Sequence, residues 1–241
     1  MELKVLYEDN HIIAVLKPAG VLSHGDMTGK PSIFDEVKNY LKEKYNKPGN
    51  VFLGLVHRLD KPVTGIMVFA KTSKGASRLS EQFRNHAIQK TYNAIVFGEL
   101  KEKQGELKEK VSKVSFFAEG FAKKSDKEIL EAVKKATKTR TAELSYKVVK
   151  SNGKYSLLEI LPKTGRFHQI RIQMAELGHP ILGDKEHLST GRQDQKKGTD
   201  EWQDNNSIAL CATGLSFKSA TGDKDIHLKI DLPKDWEQYI K

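Results

Sequence analysis

The sequence of 241 residues holds a single cysteine, Cys211. One cysteine excludes an intramolecular disulfide, which is typical of proteins in a reducing compartment. Cys211 lies within the apolar run Ile208 to Ala212. We therefore expect a small buried side chain at this position and not a reactive nucleophile.

Long apolar runs are also missing. The first run, Ile12 to Leu16, is too short for the apolar region of a signal peptide, and it follows the acidic residues Glu2, Glu8 and Asp9. No stretch approaches the ~20 apolar residues that a membrane-spanning helix needs. We expect a cytoplasmic protein with no membrane segment.

The common cofactor signatures are absent as well. Residues 25–30 resemble part of a phosphate-binding loop, but the glycine spacing is one residue short and Pro31 replaces the serine or threonine. No Gly-x-Gly-x-x-Gly motif opens a helix. The eight histidines are scattered, without a cysteine or carboxylate at metal-ligand spacing. The sequence predicts neither a metal nor a cofactor.

Positive charge is what the chain has in excess. There are 41 Lys and Arg residues against 31 Asp and Glu residues, a formal net charge of +10. An isoelectric point of about 9.4 is typical of nucleic-acid-binding proteins. Charge alone leaves a basic protein of unrelated function equally open, because net charge concerns partners and not the fold.

The hydrophobic patterns predict several strands and few helices. We expect helices over Ser32 to Tyr45 with Ser32 as N-cap, from Thr72 or Ser73 to about His86, and over Phe167 to Leu177. An apolar run at Val51 to Val56 precedes the second strand. The expected strands are His11–Lys17, Gly65–Ala70, Thr91–Phe97, Ala142–Val149, Tyr155–Leu161, Ile208–Phe217 and Ile226–Leu232. Regular βαβ alternation is missing, so the sequence predicts an α+β fold with a mixed, mainly antiparallel central sheet and flanking helices.

The segment 101–140 differs in character from the rest of the chain. It contains 12 Lys and Arg residues and 7 Asp and Glu residues, a net charge of +5. We expect a basic, exposed insertion with one amphipathic helix near Glu128 to Ala136, within a single domain spanning residues 1–241. The polar stretch from His187 to Ser207 is expected to be a loop.

Two segments concentrate unusual chemistry. The first, His57 to Gly65, packs four ionisable side chains between two apolar runs, where unpaired charges are costly. The second runs from Lys163 to Arg171, and helical spacing there would place Arg166 and Ile170 on one face. From the residues alone, a solvated turn and a basic surface helix remain open alternatives.

Taken together and in order, these segments resemble the RluA family of RNA pseudouridine synthases. The match covers nearly the whole chain, and several motifs in the right order are far more specific than one. The matching elements are Leu6 to Gly20, His57-Arg58-Leu59-Asp60 with its tail to Gly65, Lys90-Thr91-Tyr92, Thr164 to Arg171, Gly178 to Asp184 and Ile208 to Phe217. The resemblance implies the pseudouridine synthase fold with a catalytic cleft.

The resemblance also implies an activity. The chain would isomerise specific uridines of ribosomal or transfer RNA to pseudouridine without a cofactor. The oligomeric state is open, and a monomer is the default expectation. Asp60 would be the essential catalytic group, paired with Arg166, and Tyr92 would stack on a uracil flipped out of the RNA. Whether Asp60 attacks the ribose, attacks the base or removes a sugar proton stays open.

Further residues are expected to contact the RNA. Arg58 would fill the gap that the flipped base leaves, and His57 would serve the structure or a phosphate. A basic rim would bind phosphates, and two apolar residues would line the pocket. The rim consists of Lys61, Lys71, Lys90, Lys163 and Arg171; the further substrate-binding residues are His168 and Gln169; the pocket walls are Ile170 and Leu210.

The sequence departs from the family pattern, and two other functions compete with the one that the resemblance implies. The chain begins at the catalytic core without a preceding S4-type RNA-binding domain, so target capture is expected to use the core and its insertion. Gln173 stands where many members carry histidine. A non-catalytic RNA-binding or ribosome-assembly protein is the alternative. A glycosidase would need a second carboxylate near Asp60, for which Asp184 is the nearest candidate, although its Gly-Asp context favours a structural turn.

Overall fold

A single sheet forms the centre of the computed structural model, which describes residues 2–26, 29–111, 140–187, 202, 204 and 206–241. Within these residues the sheet has ten strands. They are β1 (Val5–Glu8), β2 (Ile12–Lys17), β3 (Gly54–Leu55), β4 (Thr64–Ala70), β5 (Gln89–Phe97), β6 (Gln104–Val111), β7 (Arg140–Ser151), β8 (Tyr155–Pro162), β9 (Leu210–Lys218) and β10 (Asp225–Lys229).

The strand order defines a mixed, mainly antiparallel sheet. The order is β1-β2-β4-β9-β5-β8-β7-β6, with β10 paired to β9 and β3 paired to β4. All of these pairings are antiparallel except β4 with β9, which is parallel. The predicted α+β fold is confirmed.

Three α-helices flank the sheet in the described part of the chain: α1 (Ile33–Lys44), α2 (Ser73–Arg84) and α3 (Gln169–Glu176). The predicted N-cap of α1 is confirmed, because the Ser32 hydroxyl accepts from the Asp35 backbone N–H and the Asp35 carboxylate accepts from the Ser32 backbone N–H. Thr72 caps α2 through the Gly75 N–H. A 3-10 helix over Lys234–Tyr239 follows the last strand.

Both faces of the central strands are buried. In β4, Met67 and Phe69 belong to the larger apolar cluster, whereas Ile66, Val68 and Ala70 belong to a smaller one. Successive side chains of a strand point to opposite faces, so these two clusters lie on the two sides of the sheet. This explains why β4 appears in the sequence as a continuous apolar run.

Gly65 allows β4 and β9 to approach each other closely. Its φ of 136° lies in a region that side chains rarely adopt, and it pairs with Ala212. A Cβ added at Gly65 would lie 2.5 Å from the Ala212 backbone nitrogen. The parallel pairing of β4 with β9 therefore depends on a residue without a side chain, five positions after Asp60.

Some elements differ from the sequence-based expectations. Strands β1 and β6 were not predicted, and the apolar run Val51 to Val56 contributes only the two-residue strand β3. Helix α3 begins at Gln169 and not at Phe167, because His168 adopts the left-handed conformation with φ of 47°. The helix expected near Glu128 to Ala136 and most of the loop from His187 to Ser207 lie outside the described residues.

Among the helices that the described residues form, none combines the length and apolar character needed to cross a membrane.

Candidate active site

Asp60 lies on the loop between β3 and β4, and this loop is fixed on both sides of the carboxylate. Before it, the buried Ser23 hydroxyl donates to the Leu59 carbonyl at 2.5 Å and accepts from the Leu59 N–H at 3.0 Å. After it, the Lys61 carbonyl accepts from the Gly20 N–H at 2.9 Å. The backbone around Asp60 is therefore held by the segment that follows β2.

Lys17 strengthens this attachment from inside the protein. The side chain is fully buried, and its ammonium donates to the carbonyls of Pro18, Val21 and Lys61. Burial lowers the pKa of Lys17 to about 7, and the nearby negative charge of Asp60 opposes this change. A buried cation thus ties the end of β2 to the loop that carries Asp60.

The Asp60 carboxylate faces an arginine and a histidine. Its Oδ2 lies 3.7 Å from Arg171 Nη1 and 3.6 Å from His168 Nε2, and 31% of the Asp60 side chain is exposed. Burial raises the pKa of Asp60, and the Arg171 guanidinium acts in the opposite direction. The carboxylate is accessible enough for a substrate to reach and lies beside a positive charge that favours its ionised form.

Arg171 is the best-connected charged residue of this cluster. Its Nε and Nη2 each donate to one carboxylate oxygen of Asp184 at 2.7 Å, and Nη2 also donates to Glu186 at 2.8 Å. The side chains of Arg171 and Asp184 are only 2% and 1% exposed. This bidentate pair keeps the guanidinium in one orientation.

The predicted pairing of Arg166 with Asp60 is wrong. Arg166 lies before α3, and its Nε donates outward to the Thr141 carbonyl at 3.0 Å. The left-handed turn at His168 places Arg171, in the first turn of α3, where Arg166 was expected. Of the two arginines in the Thr164 to Arg171 motif, the second one faces the carboxylate.

Gln169 has an internal role and not the expected contact with RNA. Its side-chain oxygen accepts from the Thr164 hydroxyl at 2.7 Å and from the Arg166 N–H at 3.0 Å. Its amide nitrogen donates to the Glu143 carbonyl at 3.0 Å. Gln169 is buried and closes the turn that leads into α3.

His168 sits between the carboxylate and a second histidine. Its Nδ1 lies 2.9 Å from His187 Nε2, and its ring stacks on Phe167. Burial and then the charge of Arg171 lower the pKa of His168 to about 3, so the ring is neutral at physiological pH. His168 therefore contributes hydrogen bonding next to Asp60 and no positive charge.

His168, Glu186 and His187 bring three donor atoms within 4.8 Å of one another, an arrangement that the sequence spacing did not predict. Such a set can hold a transition-metal ion in principle. Here the Arg171 guanidinium donates to Glu186 at 2.8 Å and lies 3.1 Å from His168 Nδ1. A fixed positive charge against two of the three donors disfavours a second cation.

Tyr92 lies in β5 between the two neighbouring strands, opposite Ile160 of β8 and Ala212 of β9. Burial, followed by the negative charge of Asp60, raises the pKa of its hydroxyl. Tyr92 is therefore close enough to Asp60 for the carboxylate charge to act on its hydroxyl, and this hydroxyl stays protonated at physiological pH. The proposed pocket residues Ile170 and Leu210 are buried in the larger apolar cluster, against which Tyr92 packs.

The expected basic rim is only partly available. Arg58 and Lys61 are exposed, and Lys163 is 54% exposed beside Glu106. Lys90 is half-buried near the Thr164 carbonyl. Lys71 does not belong to the rim, because it is 11% exposed and forms an ion pair with Glu8 at 2.5 Å. Arg171 does not belong to it either, because it is 2% exposed and paired with Asp184.

His57 is a structural residue in this fold. Its Nε2 accepts from the Val68 N–H of β4 at 3.0 Å, and its ring stacks on Phe83 of α2. Burial, followed by the charge of Lys90, lowers the pKa of His57 to about 3. Of the two roles expected from the sequence, the structure supports the structural one.

Three members of the cluster were not recognised from the sequence. Lys17 precedes Pro18 at the end of a strand, and the sequence shows nothing of its three carbonyl contacts. Asp184 was interpreted as part of a turn, and Glu186 was not singled out. The signal that was available is chemical: charged residues beside buried runs require partners.

Comparison with known proteins places this chain in a defined class. The sequence profile described as RNA pseudouridylate synthase matches residues 11–176. The chain is 34% identical to tRNA pseudouridine synthase C of Vibrio parahaemolyticus over 99% of its length and 94% of the relative. It is 31% identical to ribosomal large subunit pseudouridine synthase C of Buchnera aphidicola, over 98% of this chain and 69% of the relative.

The solved structures agree on the fold. Human RNA pseudouridylate synthase domain containing 4 superposes with a TM-score of 0.75 at 24% identity, covering 97% of this chain and 90% of that one. The protein is an enzyme of the class that isomerises uridine within RNA. The chain belongs to the RNA pseudouridylate synthase family.

Proposed function

We propose that Asp60 is the catalytic carboxylate of this pseudouridine synthase and that Arg171 is the cation that keeps it ionised. The single observation that carries the proposal is the placement of a partly exposed Asp60 beside the buried Arg171 guanidinium. The reaction breaks the N1–C1′ bond of uridine, rotates the base and forms a C5–C1′ bond. A carboxylate serves such a reaction as a nucleophile or as a stabiliser of a cationic sugar.

The proposed substrate is a uridine that has been flipped out of the RNA. A base within a stack cannot reach a carboxylate in a cleft, so it must leave the stack first. Tyr92 supplies an aromatic face near Asp60, and base–aromatic stacking contributes about 1–3 kcal/mol per base. Arg58, exposed two residues before Asp60, is in place to occupy the gap left in the RNA.

We propose transfer RNA as the substrate. Support comes from the relatives whose printed names specify tRNA, among them the Vibrio parahaemolyticus protein, which this chain matches over 94% of the relative's length. The relative named for the large ribosomal subunit is matched over 69% of its length. Ribosomal RNA is the second candidate and an outcome of the test below.

The proposal includes a cytoplasmic monomer that needs neither metal nor cofactor. Isomerisation of uridine transfers no net electrons and consumes no water, so the side chains of the Asp60 cluster suffice for it. Dialysis against a chelator, with spermidine to keep the RNA folded, is expected to leave the rate unchanged. A loss of rate that only added metal restores would contradict this part of the proposal.

The substrate is tested with RNA that carries tritium at C5 of uridine. Formation of the C5–C1′ bond releases that tritium to water, so release counts turnovers directly. Unmodified tRNA and protein-free large-subunit rRNA are compared at equal uridine concentration. We expect release from tRNA in a stoichiometric amount per molecule; release from rRNA alone would replace tRNA with rRNA in the proposal.

A further inference from the structure

Asp184 occupies one edge of the Arg171 guanidinium, and the remaining nitrogen, Nη1, lies beside Asp60 and His168. Asp184 takes Nε and Nη2 at 2.7 Å each, which leaves Nη1 facing Asp60 at 3.7 Å. A guanidinium carries donors in a rigid planar fork, so fixing one edge also fixes the direction of the remaining nitrogen. The direction of Nη1 is therefore set by Asp184 and not by Asp60.

Asp184 itself sits on a turn that is anchored to the sheet. The Leu182 N–H donates to Ile95 of β5 at 2.9 Å, and the Ala209 N–H donates to the Leu182 carbonyl at 2.8 Å. Gly183 has a φ of 85°, and a Cβ there would lie 2.6 Å from the Trp202 ring. The sheet, the turn and a buried indole thus leave Asp184 little freedom to move.

We propose that Asp184 is a positioning residue for catalysis, which holds Arg171 so that a single guanidinium nitrogen faces Asp60. This inference rests on the proposed roles of Asp60 and Arg171. Without Asp184, Glu186 holds only Nη2, and the guanidinium gains the freedom to turn toward a bidentate pair with Asp60. Such a pair would occupy both oxygens of the carboxylate that must face the uridine.

The charge of Asp184 acts in the same direction as its geometry. Burial is the largest cause that raises the pKa of Asp60, and the negative charges of Asp184 and Glu186 add to it against Arg171. A higher pKa makes the ionised carboxylate more basic and more nucleophilic. The charged and titratable groups that face Asp60 are Lys17 from β2, Tyr92 from β5, His168 and Arg171 at the start of α3, and Asp184 and Glu186 from the turn.

A purely structural role for the buried pair predicts something different. Removing one partner of a buried ion pair destabilises a protein, and activity would then fall only with the folded fraction. A positioning role also changes the rate of the fully folded enzyme and its dependence on pH. The two roles are therefore separated by rates measured at a temperature where the variants are folded.

The test compares the wild type with Asp184→Asn, which removes the charge and keeps the size. Single-turnover rates with enzyme in excess over tritiated RNA isolate the chemical step from product release. We expect Asp184→Asn to lower that rate at least about tenfold, as is typical when a supporting residue behind a functional group is lost. RNA affinity is expected to stay within about twofold, because Asp184 is buried and contacts no RNA.

The pH profile supplies the readout that a structural role would not change. The negative charge of Asp184 raises the pKa of Asp60, so its removal lowers that pKa. The acidic limb of the rate profile, where the rate rises as Asp60 loses its proton, is expected to move to lower pH. Asp225→Asn, at an exposed residue paired with Lys218, is the matched control and should leave the rate and the limb unchanged.

An unchanged rate in folded Asp184→Asn, or a reduced rate with an unmoved acidic limb, would overturn the proposal. If Asp184→Asn does not fold, Asp184→Glu carries the test, because it keeps the charge and displaces the carboxylate by one methylene. A slower rate with the limb in its wild-type position is then expected, and a wild-type rate overturns the inference. Activity in Asp60→Asn would instead overturn the proposed function itself.

Discussion

At the scale of single residues, the proposed catalytic site is defined by which arginine faces Asp60. The sequence motif contains two, and the resemblance to the family pointed to Arg166. The left-handed conformation of His168 delays the helix and brings Arg171 to the carboxylate. A single backbone conformation, which residue patterns do not reveal, decided the assignment.

The same substitution at both arginines tests this assignment. Arg171→Lys keeps the positive charge but loses the fork that binds Asp184 and faces Asp60, so we expect the single-turnover rate to fall on the order of a hundredfold. Arg166→Lys, at a residue whose guanidinium donates to the Thr141 carbonyl and not to Asp60, is expected to stay within about twofold of the wild type. The reverse order of the two rates at saturating RNA would restore Arg166 as the partner of Asp60.

The sequence pointed to Asp60 and Tyr92 as candidates, because each belongs to a short motif of residues that are adjacent along the chain. The sequence did not reveal Asp184 as the partner of Arg171, or Lys17 as a partner of the loop that carries Asp60. Asp184 and Lys17 act through contacts between segments that are distant along the chain, and their local sequences resemble an ordinary turn and a strand end. Long-range pairing of charges was what the sequence could not display.

At the scale of elements, helices with clear caps and strands that are buried on both faces were predicted well. Strand β6 was not, because half of its residues, Gln104 to Val111, are charged, as is common for a strand at the edge of a sheet. Its partner β7, and not its own composition, makes it a strand. Strand β1 is short and also lies at an edge.

Glu8 joins the β1 edge to the end of α1. Its carboxylate binds Lys44 at 2.7 Å and Lys71 at 2.5 Å, and also accepts from Tyr45. Burial alone would raise the pKa of Glu8, but the contacts with Lys44, Lys71 and Tyr45 together lower it from 4.5 to about 2. Because the folded-state pKa is the lower one, this stabilisation is present above pH 4.5 and is lost as the pH falls through about 2.

Glu8→Gln should therefore destabilise the protein in a pH-dependent way. We expect a loss of about 1–2 kcal/mol in the free energy of unfolding at pH 7, after allowance for solvent screening near the surface. The difference from the wild type should shrink steadily below pH 4.5, as urea unfolding at several pH values would show. Glu99→Gln, at an exposed pair with Lys103, is the matched control; a Glu8→Gln effect that is equal at all pH values would contradict the account.

At the scale of the whole molecule, the net charge of +10 governs the encounter with RNA. Neutralising phosphates releases counterions, so affinity falls as salt rises. We expect the affinity for tRNA to drop at least about tenfold between 50 and 200 mM salt, measured by filter binding at constant pH.

Lys61→Gln, which removes an exposed charge next to Asp60, should reduce the slope of log affinity against log salt by roughly one. Affinity that does not respond to salt would contradict a phosphate-binding rim.

The catalytic role of Asp60 is tested most directly by the single-turnover release of tritium from C5-labelled tRNA by Asp60→Asn. The substitution keeps the size of the side chain and removes the negative charge that faces Arg171. We predict that Asp60→Asn binds the RNA with wild-type affinity and releases no tritium above the rate without enzyme. Release at the wild-type rate would show that another group carries the reaction and would contradict the central role given to this carboxylate.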